Sequence, residues 1–188
     1  MFAFALTLLA LSLAVPLFDT TGLTNGQVSS HLAAVLQGDW NSFLGYVFAF
    51  VMIGVWWVAH FRTFQYIARY DSTLVWINMA ILLQIAVMPF VLTVYSHYGS
   101  TQVAVDLFAT IQIGLGITTT GLWDYARHAK LIKPNVPEAV AVFFSRRGWF
   151  TSAVFAASIG LSFVNLTVAE LSWALTFVVQ RYLDRYVR

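Results

Sequence analysis

Long apolar runs separated by short polar breaks organise the whole chain. The pattern predicts a first helix over about residues 1–17. A polar stretch follows from Asp19 to Asp39, broken by Gly22, Asn25, Gly26 and Gly38, in which Gln27 to Gln37 suits a short surface helix. Further apolar helices are expected over about Trp40–Arg62, Leu74–Tyr95, Thr101–Tyr125, Trp149–Val164 and Val168–Tyr186. Ser96–Ser100 reads as a tight turn and Asn165 as a short one. The largest loop, 126–137, carries two prolines, and Glu138 to Arg147 reads as an amphipathic approach lying at an interface. A helix needs roughly 20 apolar residues to cross a hydrocarbon core about 30 Å thick. The expectation is therefore an all-α polytopic membrane protein: one transmembrane domain of six helices over residues 1–188.

Charge then orients the helices. The ten Lys and Arg residues fall into three groups: Arg62 and Arg69; Arg127, Lys130, Lys133, Arg146 and Arg147; and Arg181, Arg185 and Arg188. Basic residues beside spans stay on the cytoplasmic side. With six crossings this puts both termini in the cytoplasm. The outer loops carry Asp19 and Asp39, with Asp106 and Glu170 about a turn inside their helices. Trp40, Trp149, Trp173, Tyr95, Tyr98, Tyr182 and Tyr186 fall near the expected interfaces, where amphipathic rings concentrate. Composition agrees: 60% of residues are apolar and 10% charged, with a mean hydropathy of +0.76. The net charge of +2 follows from the cytoplasmic loops and implies no nucleic-acid partner. With no Cys, disulfides, thiol chemistry and thiolate metal sites are excluded.

Met1 to Val15, ending at Pro16, superficially resembles a signal peptide, but no Lys or Arg precedes Arg62. A retained first helix is expected. At about 1.5 Å per residue it reaches only about 24 Å, slightly short of a span.

No enzyme constellation is visible. The four His residues lie on four segments without metal-binding spacing, and no nucleophile elbow or phosphate loop occurs. The ionisable residues within spans are His60, Asp106, Asp124 and Glu170, all near span ends. Asp106 and Glu170 are either wetted outer groups or charges that concentrate cations at an outer mouth. In the first helix Phe4, Leu8 and Leu11 recur at i, i+4 and i+7, flanked by Thr7 and Ser12. Such a stripe on its own reads as lipid or core packing.

Several segments resemble the endolysosomal potassium channel family of the transmembrane protein 175 type and its bacterial relatives. The first is Phe2-Ala3-Phe4-Ala5-Leu6-Thr7-Leu8-Leu9, followed by Leu11 and Val15-Pro16. Next come Trp57-Val58-Ala59-His60 with Phe64, then Arg69-Tyr70-Asp71, Leu74-Val75-Trp76-Ile77-Asn78 and Pro89-Phe90. The resemblance covers residues 1–90, and beyond residue 100 only hydropathy and loop charge agree.

It implies a homotetrameric, potassium-preferring cation channel rather than an enzyme, with monovalent cations as cargo and no cofactor. The first helix of each subunit would line the pore. Phe4 falls at the narrowest position, where the family has an aliphatic residue, with Leu8 and Leu11 further along. Thr7 falls beside the constriction, where its hydroxyl would help an ion shed water. The family also carries an Arg-x-x-x-Phe-Ser-Asp motif just ahead of the segment that here begins at Met1. Its absence reads as a late start site or a shortened chain. By position the motif's partners would be Trp57, His60 and Asn78. Together with Asp71, a helix cap by its own position, these make an expected interhelical polar network whose role is either packing glue or gating. Two other outcomes stay open: a non-conducting scaffold or remnant of such a channel, and a proton-coupled transporter that depends on Asp106, Glu170 or His60.

Overall fold

The structure, a computed structural model, describes residues 1–11, 21–38 and 40–178. The expectations for Ser12, Pro16, Asp39 and the basic group at 181–188 lie outside these residues, as do those for the side chains of Leu11 and Trp40.

Among the described residues, seven helices follow one another: α1 (Phe2–Leu11), α2 (Asn25–Gly38), α3 (Trp40–Gln65), α4 (Ser72–Tyr98), α5 (Gln102–His128), α6 (Glu138–Ser162) and α7 (Leu166–Ser172). Three of these are long and apolar enough to cross a membrane: α3 over Phe43–Gln65, α4 and α5. At about 1.5 Å per residue, the 27 residues of α4 extend about 40 Å, enough to cross the core and emerge at both faces. The short surface helix is present as α2, and its described residues are almost all exposed. α7 opens a shorter apolar helix, Leu166–Val178. Its ladder tightens at Trp173, where i→i+3 bonds run from Trp173 N to Glu170 O and from Thr176 N to Trp173 O.

One difference from the sequence pattern has a clear cause: the amphipathic approach and the fifth span are one continuous helix, α6. Gly148, between the two, lies where α6 crosses α5. A Cβ there would overlap Thr120 Oγ1 and approach Gly116 O at 3.3 Å, and a Cβ on Gly116 would overlap Ser152 Oγ. The glycine is therefore a contact point in an unbroken helix, the small-residue packing typical of membrane helices. Trp123 Nε1 donates to Ala141 O at 2.9 Å and closes the same pair of helices nearer the loop. Pro89 lies inside α4, within the span expected over Leu74–Tyr95, and does not end the helix. Thr93 Oγ1 donates to Pro89 O at 2.9 Å.

The two described basic loops meet at one end of the bundle. Ile67 pairs with Ile132 in an antiparallel bridge. Ala68 N donates to Leu131 O at 2.8 Å and Lys133 N to Tyr66 O at 2.8 Å. Arg62, Arg69, Arg127, Lys130 and Lys133 are thereby gathered at that end. Arg127 also makes a 2.9 Å ion pair with Glu138 at the start of α6, an exposed contact of small energetic weight.

Filling the α5–α6 crossing is expected to cost about 1–3 kcal/mol through overpacking. Gly148→Val should lower the thermal midpoint of the purified protein in detergent. Gly121→Ala, at a position where a Cβ meets nothing within 4 Å, should leave it unchanged or raise it. Equal effects of the two substitutions would refute the crossing.

Candidate functional site

α1 is apolar all round, so packing decides which of its faces is covered. Phe2, Ala5 and Leu9, spaced i, i+3 and i+7, are buried in the core, and the helix rests on α3 and α4. Phe4 and Leu8 lie on the uncovered face at 57% and 38% exposure, and Thr7 is exposed beside them. Thr7 Oγ1 donates to Ala3 O at 2.9 Å, which leaves its oxygen lone pairs unspent. An unbroken stripe of large apolar residues with one hydroxyl at its edge is thus held outward by three buried neighbours.

The seat of α1 includes a polar pair. His60 Nε2 lies 2.8 Å from Asn78 Oδ1, joining α3 to α4. An amide oxygen only accepts, so Nε2 carries the proton. The ring of Phe2 packs on the His60 imidazole with centroids 5.3 Å apart, and Phe64 stacks on it at 4.5 Å. The start of α1 therefore presses on the group that links the next two long helices.

The four residues expected to form one network divide. His60 and Asn78 are joined. Trp57 is not bonded to them: it is half exposed and stacks on Phe61 with centroids 5.7 Å apart. Its neighbour Trp56 makes the interhelical bond instead, donating from Nε1 to Gln112 Oε1 of α5 at 2.9 Å. Asp71 belongs to a separate arrangement. It caps α4 by accepting from Leu74 N at 2.8 Å, and it also accepts from Tyr125 Oη at 2.5 Å. Those two donors, the Tyr125 hydroxyl above all, hold its carboxyl below the ordinary value of 3.8.

The acids expected at the outer surface are half-buried and bonded to neighbouring helices. Asp106 Oδ1 accepts from Ser162 Oγ at 2.7 Å, tying α5 to α6. Glu170 Oε1 accepts from Tyr95 Oη at 2.7 Å, tying α7 to α4. The sequence reading overlooked Gln112 and Gln84, whose signal was available: each is an uncharged amide well inside a long apolar helix. Gln84 Nε2 donates to Thr118 Oγ1 of α5 at 3.0 Å.

Comparison with known proteins bears on what this arrangement serves. The model of the family described as Endosomal/lysosomal potassium channel TMEM175 matches residues 1–89, which hold α1, the His60–Asn78 pair and most of α4. A potassium channel of Streptomyces collinus is 30% identical over 175 residues, covering 89% of this chain and 81% of its own length. The chain belongs to the TMEM175 family. The crystal structure of a lysosomal potassium-selective channel TMEM175 homolog from Chamaesiphon minutus is similar in fold, with a TM-score of 0.69 and 26% identity. That match covers 98% of this chain and 91% of the solved one. A vertebrate TMEM175 relative, the endosomal/lysosomal proton channel of Rattus norvegicus, is 27% identical over 103 residues, 54% of this chain and 21% of its own length.

The cap at Asp71 has a pH signature. Because its carboxyl is held low in the folded state, its stabilising effect is fully present above the ordinary value of 3.8. The effect is lost as pH falls through the depressed folded value. Tyr125→Phe should shift that loss to higher pH, and Asp71→Asn should abolish this part of the acid dependence, both read from thermal midpoints across pH 2 to 6.

Proposed function

We propose that this chain is the subunit of a homotetrameric, potassium-preferring cation channel whose pore is lined by α1. The observation that carries the reading is the outward stripe of Phe4 and Leu8, with Thr7 at its edge, on a helix whose opposite face is fully committed to the bundle. Four copies about a closed rotational axis would bring four stripes together. Rings of Phe4 and Leu8 then form a hydrophobic constriction that gates by diameter and dewetting. Potassium is the permeant ion, and no bound cofactor is required.

Two further features support this assembly. An open apolar groove of about 760 Å³ runs beside α1, lined by Ala3, Leu6, Gly54 and Trp57 among others, and offers a bed for a neighbouring copy. Phe2 lies against His60 near the end of α3 that carries Arg62, so α1 begins at the basic end of the bundle. With the positive-inside bias, this favours a cytoplasmic amino terminus, six crossings by α1, α3, α4, α5, α6 and the helix opened by α7, and a cytoplasmic carboxyl terminus. The compartment that follows is the inner membrane of a bacterium. Asp106 and Glu170 act in this reading as interhelical acceptors near the outer end.

The vertebrate relatives named as proton channels favour one second reading, in which protons follow the same path. Potassium flux and proton flux from one preparation of proteoliposomes separate the two. The expected result is potassium flux that rises several-fold in Phe4→Ala and Leu8→Ala, because a smaller ring wets more readily. Proton flux that rises while potassium flux stays at background would select the second reading. Absence of both fluxes in every variant would leave a non-conducting membrane scaffold.

A further inference from the structure

The basic end of the bundle carries more positive charge than the chain itself neutralises. The carboxylates described there are already committed. Asp71 accepts from Leu74 N and Tyr125 Oη, Asp124 Oδ2 accepts from Ser145 Oγ at 3.3 Å, and Glu138 pairs with Arg127. Among the described residues, Arg62, Arg69, Lys130 and Lys133 form no ion pair, and all four are exposed.

The backbone holds two of these cations beside each other. Arg69 N donates to Leu131 O at 3.2 Å, next to the bridge between the two loops. Arg69 Nη2 also donates to Lys130 O, at 3.4 Å, which leaves most of its guanidinium N–H groups unspent. Lys130 itself stands just past the end of α5. Leu131 N donates to Ala126 O at 2.9 Å and Lys130 N to Arg127 O at 3.1 Å, the paired bonds that close a helix around a left-handed residue. That position favours glycine, yet here φ is 55° on a lysine. Cations held close without a counter-ion repel each other, and an anion supplied from outside relieves the repulsion. Close by in the chain, Tyr70 and Trp76 are exposed, rings of the kind that settle at headgroup depth.

We propose that the bridged loops form a binding site for the phosphate of an anionic phospholipid headgroup, with Arg69 and Lys130 as its principal contacts. The membrane is the source, because basic clusters beside membrane helices meet anionic headgroups and the two exposed rings put this cluster at their level. A bound phosphate joins the connection after α3 to the connection after α5. The inference rests on the chain spanning a membrane and is independent of ion conduction.

Native mass spectrometry of the full chain in neutral detergent resolves lipids bound one at a time. Phosphatidylglycerol and phosphatidylcholine with identical chains are titrated, each giving a dissociation constant for the first lipid bound. The anionic lipid should bind about tenfold tighter or more. Arg69→Gln and Lys130→Gly should each weaken it about fivefold, the worth of one basic residue at an anionic surface, and leave phosphatidylcholine unchanged. Lys130→Gly also relieves the left-handed backbone, so its thermal midpoint should hold or rise, and lost binding there is not lost folding. Arg146→Gln removes an exposed cation outside the bridged loops and should change nothing. Glycerol 1-phosphate in excess should fail to displace the lipid. Its success would overturn the membrane source and assign the site to free phosphate compounds. Equal affinity for the two lipids, an equal loss in Arg146→Gln, or full binding in both loop variants would overturn the site itself.

Discussion

In hydrocarbon a hydroxyl or amide has no water to turn to, so every polar side chain within these helices must find its partner inside the chain. Most hydroxyls meet this constraint locally. Thr63, Thr93, Thr110, Thr118, Thr120 and Thr151 each return a hydrogen bond to the carbonyl four residues back. Ser158, Ser172 and Thr176 do so three residues back. Side chains with longer reach meet it by joining helices: His60 to Asn78, Trp56 to Gln112, Gln84 to Thr118, Tyr95 to Glu170 and Ser162 to Asp106. The helix bundle takes its arrangement from these few long-range bonds and from close packing such as the crossing at Gly116 and Gly148, because no hydrophobic effect drives apolar surfaces together within an apolar medium. A buried donor left over, such as Trp173 Nε1, costs about 1–3 kcal/mol.

The same constraint explains the division of labour along the chain. α1 contributes no polar group to the interhelical bonds described for the bundle. It is held by apolar contacts of Phe2, Ala5 and Leu9 and by the pressure of Phe2 on the His60 ring. Such contacts are non-directional and tolerate small displacements. The helices behind it are pinned by directional bonds and by the close crossing at Gly116 and Gly148. The element proposed to line a pore is thus the one whose support permits adjustment, while its foundation does not.

Much of the fold was legible from hydropathy. The three long helices and the surface helix at Asn25–Gly38 lie where apolar periodicity and polar breaks put them, because segment length and composition are one-dimensional properties. Facing is not. Trp56 and Trp57 are adjacent in sequence and about 100° apart around the helix, and only packing reveals that Trp56 reaches Gln112 while Trp57 stays half exposed. The unbroken α6 was hidden for a related reason: an amphipathic approach and an apolar span differ in composition, and composition alone does not show that one helix runs through both. The resemblance of residues 1–90 to known channels drew attention to His60 and Asn78. The separate attachment of Asp71 to Tyr125 depends on a contact across 54 positions, which no local pattern encodes.

The antiparallel bridge between Ile67 and Ile132 makes two connecting loops into a single small ribbon. The residues after α3 and those after α5 share backbone bonds, so neither loop has a length of its own to vary. Adding or deleting a residue between 129 and 133 shifts the register of Leu131 or Lys133 against Tyr66 and Ala68, and the end of α3 feels the change as directly as the start of α6 does. In this chain the spacing of one loop is an inherited property of a distant helix, and genetic tolerance to insertions should be lower here than at the unbridged turn around Gly99.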